Sequence, residues 1–159
     1  MEVCPTFFRL TETFRFKISK VRIKWLPMKQ FTVKTRSRTD FINIDRHVDE
    51  AIREADLTDG VVTIFIPHTT AGVTINENAD PDVTADMELV LDRMVPWSGD
   101  YKHVEGNTAA HAKASLMGSS AQVIVSEGKL QLGTWQSLYF CEFDGPRTRQ
   151  VWVKGISAE

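Results

Sequence analysis

A six-residue apolar run that ends at a proline constrains the fold of this 159-residue chain more than any other feature. Residues 61–66 read VVTIFI, and this β-branched composition favours a strand that is covered on both faces. Pro67 has no amide hydrogen to donate to a sheet, so the strand should end there and leave His68 at its mouth. The chain therefore predicts a sheet-based core with polar residues at one end of a buried strand.

The stretch that follows is unusually rich in side chains that bind ligands. Residues 67–82 read PHTTAGVTINENADPD and supply a histidine, hydroxyls, amides and carboxylates. Strand ends and loops are where binding and catalytic residues are usually placed. The alternative is that the hydroxyls only satisfy the backbone of a turn. The candidates from this stretch are Thr69, Thr70, Asn76 and Asn78 for substrate binding and Glu77 as a catalytic acid or base.

Composition limits the classes of function. The net charge of −2 argues against general nucleic-acid binding, which needs a basic surface, and favours small-molecule partners. No apolar run approaches the roughly 20 residues that span a bilayer, so we expect a soluble protein. Cys4 and Cys141 form no CxxC pair, which fits a reducing cytoplasm. Cys141 lies in an apolar run and is interpreted as a small buried residue and not a nucleophile.

The first 27 residues differ from the rest of the chain in charge. Residues 1–27 sum to +4, whereas the remaining 132 residues sum to −6. One interpretation is that translation starts at Met28 and that residues 1–27 are a mis-assigned or disordered extension. The other is a basic arm that binds a partner or a membrane surface. Either interpretation leaves residues 28–159 as the folded domain.

Hydrophobic periodicity predicts a mixture of short strands and three helices. Helices are expected to begin at Asp45, at Asp80-Pro81 and at Thr108, with the last one ending before Gly118. Gly72 suits a tight bend or a close backbone approach. The second half of the chain reads as a β meander. The other expected strands are 30–35, 40–44, 123–125, 129–132, 137–143 and 149–154.

Three of the four histidines are candidates for a metal site. His68, His103 and His111 lie at a strand end, in a loop and in a first helical turn. Three imidazoles with an open fourth position suit a catalytic zinc ion, and Glu77 or Glu105 is a candidate to complete the set. The spacing matches no HExxH motif, and a single histidine is more often structural than a ligand.

A second group of residues suits a phosphate. The helix that begins near residue 109 offers free backbone N–H groups, and Lys113 and Arg147 offer positive charge. Ser115 adds a hydroxyl. Trp135 offers a flat surface for a ring, although core packing explains it equally well.

Five motifs are far more specific in combination than any single histidine. They read PHTTAGVTINENADPDV from residue 67, YKHVEGN from 101, AAHAKASLMGSS from 109, GKLQLGTWQSLYFCEFDGPR from 128 and RQVWVKG from 149. Together they closely resemble the YjbQ-like family, also called secondary thiamine-phosphate synthase proteins. The resemblance covers residues 28–159, and residues 1–27 depart from the usual family length.

The resemblance implies a fold, an assembly and an activity. The fold is a compact α+β domain with sandwich-like strands, and the assembly is a homotrimer with sites near subunit boundaries. The resemblance also implies a divalent metal at His68, His103 and His111, either zinc or, with a diphosphate substrate, magnesium. The implied activity is a weak synthesis of thiamine phosphate from hydroxymethylpyrimidine diphosphate and thiazole phosphate, with loss of pyrophosphate.

This reaction assigns roles to the candidate residues. Departing pyrophosphate needs positive charge, which we expect from the metal, Lys113 and Arg147, with Glu77 as the catalytic acid or base. Trp135 is expected to pack on the pyrimidine, and Asn76 and Asn78 to orient groups. Two alternatives remain open at this point: a metal-dependent hydrolase, and a non-catalytic trimer that binds a small metabolite.

Overall fold

Nine strands and three helices follow one another along residues 23–158, the part of the chain that the computed structural model describes. The helices are α1 (Asp45–Glu54), α2 (Asp82–Met94) and α3 (Thr108–Met117). The strands are β1 (Ile23–Trp25), β2 (Lys29–Lys34), β3 (Asp40–Asn43), β4 (Gly60–Phe65), β5 (Ala71–Glu77), β6 (Ser120–Ser126), β7 (Lys129–Leu130), β8 (Gln136–Glu142) and β9 (Thr148–Ala158).

The strands form two antiparallel sheets. Sheet A has the order β1-β9-β4-β6-β7, with β2 also paired to β9, and sheet B has the order β3-β8-β5. This arrangement confirms the predicted α+β class with sandwich-like strands. The predicted meander is wrong, because β8 pairs with β3 and β5 in sheet B whereas β9 returns to sheet A.

The main apolar core lies between the two sheets and is closed by α1. Val48, Ala51 and Ile52 form the buried face of α1, as its periodicity predicts. A second, smaller core lies where α2 and α3 meet the other face of sheet B. It contains Leu91, Ala110, Ala114, Tyr139, Cys141 and Phe143.

The strand that is covered on both faces is β8 and not the apolar run at 61–66. Leu138 and Phe140 join the main core, while the alternate residues Tyr139 and Cys141 join the second core. Burial raises the pKa of the Cys141 thiol, which confirms its interpretation as a small buried residue.

In β4, by contrast, only alternate residues are buried. Val62 and Ile64 join the main core, whereas Val61 and Phe65 are exposed on the outer face of sheet A. The prediction of two covered faces is wrong for the single chain because no described element packs on that face.

Gly72 is the point at which β5 contacts the end of α3. A Cβ atom at this position would lie 2.7 Å from the Gly118 carbonyl oxygen, so a side chain does not fit. The Val73 N–H also donates to that oxygen at 3.0 Å. The predicted close approach is confirmed, and it holds α3 beside the turn that carries His68.

Part of the predicted N-terminal extension belongs to sheet A. Ile23–Trp25 pairs with the end of β9, and Leu26 is buried in the main core. Residues 1–22 lie outside the described residues, so both interpretations of that segment stay predictions. Within residues 23–158 no helix is both long and apolar enough to cross a membrane.

Candidate active site around His111

His68 lies in the turn between β4 and β5 and is held by β9. Its Nε2 accepts a hydrogen bond from the backbone N–H of Gln150 at 2.8 Å. Partial burial, and then the nearby Arg149 charge, lower the pKa of His68 below its ordinary value. The ring is therefore neutral at neutral pH. Because Nε2 accepts a hydrogen bond, the ring proton is on Nδ1.

His103 and His111 lie next to each other at the start of α3. Their ring centroids are 5.4 Å apart with the planes nearly perpendicular. His111 is in the first turn of α3, as predicted, and His103 lies in the preceding loop. The Nε2 atom of His103 is 3.8 Å from a carboxylate oxygen of Glu105.

Two neighbouring clefts share His111. The larger has a volume of about 570 Å³, and its lining includes His68, Thr69 and Ser115. The smaller, of about 330 Å³, is lined by His103, Thr108 and His111. The Thr108 hydroxyl oxygen is buried and has no hydrogen-bond partner among the described residues. The fold thus brings all three candidate histidines to one end of the molecule, with His111 between the other two.

The donor atoms fit a metal ion in part. In residues 23–158 no group of three or more His, Cys, Asp or Glu side chains is arranged to hold a metal. His68 does not fit as a ligand, because its Nε2 lone pair is used by Gln150 and its Nδ1 carries the proton. His103 and His111 remain candidates, since their two imidazoles lie side by side at the smaller cleft and a Glu105 carboxylate oxygen is 3.8 Å from His103 Nε2.

Four other candidates lie at the opposite end of β5. The register pairs Ala71 with Glu142 at one end of the strand and Glu77 with Gln136 at the other. At about 3.3 Å per residue these ends are about 20 Å apart. Within one chain, therefore, the far group cannot share a ligand with His68, and its predicted roles in the same site are corrected. The group comprises Asn76, Glu77, Asn78 and Trp135.

Contacts inside this far group explain the polar residues at the end of β5. The Tyr139 hydroxyl donates to Asn78 Oδ1 at 2.6 Å, and the Asn78 N–H donates to the Trp135 carbonyl at 2.8 Å. The Asn76 side chain donates to the sulfur of Met87 and accepts from the Glu77 N–H. Trp135 is exposed and is not a core residue.

The two predicted cations are already paired. Lys113 is fully buried, its ammonium group bonds the Asp92 carboxylate, and its Nζ lies 3.7 Å from the Trp97 ring centroid. Arg147 donates to the carboxylate and to the carbonyl of Asp144, both at 2.7 Å. The expectation that both residues present free charge to a leaving group is corrected.

Replacing Lys113 with methionine should therefore reduce stability and leave the clefts intact. We expect the free energy of unfolding to fall by about 1–3 kcal/mol, since the ion pair and the cation–π contact are lost while Asp92 remains partly hydrated. Urea unfolding measures the loss, with the exposed Lys102→Met as the matched control. Unchanged stability together with lost ligand binding would return Lys113 to the site.

A buried polar network next to the larger cleft was not predicted from the sequence. Arg149 donates from Nε and Nη2 to the two carboxylate oxygens of Glu142 at 2.7 and 2.6 Å, and from Nη2 to the Thr70 hydroxyl at 2.8 Å. Thr35 donates to the same carboxylate at 3.3 Å. The sequence signal for such a network is Glu142, a charged residue inside the apolar run 138–143.

An aromatic pair beside His68 was also missed. The rings of Phe65 and Trp152 are 5.7 Å apart on the outer face of sheet A. The Trp152 indole N–H donates to the Gln150 side chain at 3.4 Å, and the Gln150 backbone N–H bonds His68. Phe65 is the last residue of β4, three positions before His68, and Trp152 is two positions after Gln150 on β9.

Comparisons with known proteins agree on one family. Residues 29–158 match the family model described as "UPF0047 protein YjbQ-like". The chain is 52% identical over 128 residues to the UPF0047 protein YugU of Bacillus subtilis, covering 80% of this chain and 97% of that protein. It is 34% identical over 117 residues to the UPF0047 protein YjbQ of Escherichia coli O157:H7, covering 72% and 85% of the two chains.

Solved structures show the same fold. An uncharacterized conserved protein of the YjbQ/UPF0047 family from Clostridium acetobutylicum superposes with a TM-score of 0.78 at 57% identity, covering 80% of this chain and 98% of that one. A protein of unknown function from Sulfolobus solfataricus P2, described as YbjQ-like, superposes with a TM-score of 0.80 at 27% identity, covering 86% and 99%.

Proposed function

The chain belongs to the UPF0047 YjbQ-like family, and from this premise we propose that it is a metal-binding enzyme that acts on a small phosphorylated metabolite in the clefts around His111. The observation that carries the proposal is the position of His111, which lines one cleft with His68 and the other with His103. A residue that faces two clefts suits a reaction in which two groups meet.

We propose thiamine-phosphate synthesis as the first activity to test. In this reaction the C–O bond between the methylene carbon of hydroxymethylpyrimidine diphosphate and its diphosphate breaks, and pyrophosphate departs with the bonding electrons. The lone pair of the ring nitrogen of the thiazole phosphate forms the new C–N bond to that methylene carbon. A divalent ion held by His103 and His111, zinc or magnesium, would supply charge to the leaving pyrophosphate. None of the described residues that line these two clefts is a lysine or an arginine.

The chain's own groups around the larger cleft have separate roles in this proposal. The neutral His68 donates from Nδ1 to an acceptor atom of the substrate, and the Thr69 and Ser115 hydroxyls line the same cleft. The first turn of α3 contributes its positive dipole end.

We also propose that the chain works as a homotrimer. Its support is the exposed apolar surface on the outer face of sheet A, where Val61, Phe65 and Ile124 are all exposed. A molar mass of three chains by light scattering is the expected result, and a stable monomer at micromolar concentration would contradict it.

The activity is tested by pyrophosphate release from the metal-loaded protein. Release that requires both substrates is the expected result, with the metal-stripped protein as the control. Release from the pyrimidine diphosphate alone would identify a hydrolase instead. No release with either substrate, from protein that binds pyrophosphate, would favour a non-catalytic metabolite-binding protein.

A further inference from the structure

The buried Glu142–Arg149 ion pair has no role in the reaction proposed above, yet it lies against the His68 turn. The Glu142 side chain is fully buried and that of Arg149 is 10% exposed. Two charges are costly to remove from water, and the cost is recovered only when their hydrogen bonds are complete. The Glu142 carboxylate is well supplied with donors: besides Arg149, it accepts from the backbone N–H groups of Phe143 and Asp144 at 3.1 and 2.9 Å.

Consecutive residues of β9 hold the two ends of the turn 68–70. Arg149 donates to the Thr70 hydroxyl at 2.8 Å, and the next residue, Gln150, donates from its backbone to His68 Nε2 at 2.8 Å. The Thr70 carbonyl also accepts from the Phe143 N–H at 3.1 Å, next to Glu142. Arg149 and Phe143 therefore hold the Thr70 end of the turn, while Gln150 holds His68 at the other end.

The geometry of His68 has a chemical consequence. A neutral imidazole has one donor and one acceptor nitrogen, and the hydrogen bond made by one nitrogen sets the role of the other. With Nε2 accepting from Gln150, Nδ1 is the donor. Loosening the turn would remove the Gln150 bond and with it the preference for this tautomer.

We propose that Glu142, Arg149 and Thr70 form a clamp that fixes His68 as an Nδ1 hydrogen-bond donor, so that the larger cleft selects a ligand with an acceptor atom, such as a phosphate oxygen. These three are positioning residues, since they act through His68. The clamp and the tautomer are properties of the free chain. Only the phosphate ligand depends on the proposed function.

The test compares two buried threonines of the same network. Thr70→Val removes the acceptor of Arg149 beside His68, whereas Thr35→Val removes a hydroxyl that contacts Glu142 and the Arg147 backbone. Both threonines are buried to a similar degree, so similar losses of stability are expected. Thr70→Ser restores the hydroxyl and should behave as the wild type.

The readout is the imidazole nitrogen NMR spectrum of His68 at a fixed neutral pH, assigned with His68→Gln. We expect the wild type and Thr35→Val to have the proton on Nδ1 and an unprotonated Nε2. In Thr70→Val the ratio of this form to the others should fall roughly five- to tenfold, as the loss of one hydrogen bond predicts. Equal spectra for both valine variants, or a wild type protonated on Nε2, would overturn the clamp. If Thr70→Val fails to fold, the wild-type spectrum still tests whether the His68 proton is on Nδ1, as the clamp requires.

Binding of inorganic pyrophosphate separates the clamp from the proposed function. We expect Thr70→Val to weaken binding roughly five- to tenfold, while Thr35→Val binds as the wild type does. A wild type with the expected His68 spectrum and no affinity for pyrophosphate would refute the phosphate ligand and leave the clamp intact. Equal affinities in both valine variants, despite an altered His68 spectrum in Thr70→Val, would overturn the role of the clamp in ligand selection.

Discussion

Glu142→Gln is expected to lower the free energy of unfolding by about 3–5 kcal/mol, because it leaves the guanidinium of Arg149 buried without a counter-charge. The glutamine has nearly the same shape, so the change isolates the charge. For a chain of this size the loss corresponds to a fall of roughly 10 °C in Tm. Calorimetry or thermal denaturation followed by circular dichroism measures it.

Arg147→Gln is the matched control for Glu142→Gln. It breaks an ion pair of the same chemical type at 2.7 Å, but the Arg147 side chain is 53% exposed. Exposed pairs contribute no more than about 1 kcal/mol. If the two variants unfold at the same temperature, the buried network does not have the stabilising role assigned to it. The result would also weaken the clamp, because the ion pair would then not restrain Arg149.

His111→Ala is expected to reduce pyrophosphate release about 10²- to 10³-fold, since it removes the one imidazole that both clefts share and with it the stabilisation of the leaving group. The change should have little effect on stability, because His111 is only partly buried and replacement by alanine suits a helix. Steady-state assays of metal-loaded protein measure it.

His47→Ala provides the control for His111→Ala. His47 is the one histidine of the four that is not a site candidate. It lies on α1 and stacks on Phe31, with ring centroids 4.8 Å apart. It lines neither cleft, so activity should match the wild type within error. Full activity in both variants would refute the site around His111.

The sequence predicted the elements well, since local patterns determine them. Alternation in β2 and the apolar stripe on α1 are visible in the residues themselves. The doubly covered strand was misassigned, because an apolar run reports burial but not which element supplies the cover. The cover on β8 comes from α2 and α3, which no local pattern around residues 136–142 reveals.

The candidate site could be predicted only in part, because closeness in sequence is not closeness in space. His68 and Glu77 are only nine positions apart in sequence. The extended strand β5 lies between them and separates them in space. Lys113 lies two positions after His111 on α3, so the helical repeat turns it to nearly the opposite face, against Asp92. The convergence of the three histidines needed the contact between β5 and α3 at Gly72.

The metal content of single histidine variants tests the central account most directly. Wild-type protein and the variants His68→Ala, His103→Ala and His111→Ala would be purified without added metal and measured by elemental analysis, with His47→Ala as the control. We expect a bound metal that is lost from His103→Ala and His111→Ala and kept in His68→Ala and His47→Ala. A wild type without metal, or a His68→Ala variant as empty as His111→Ala, would contradict it.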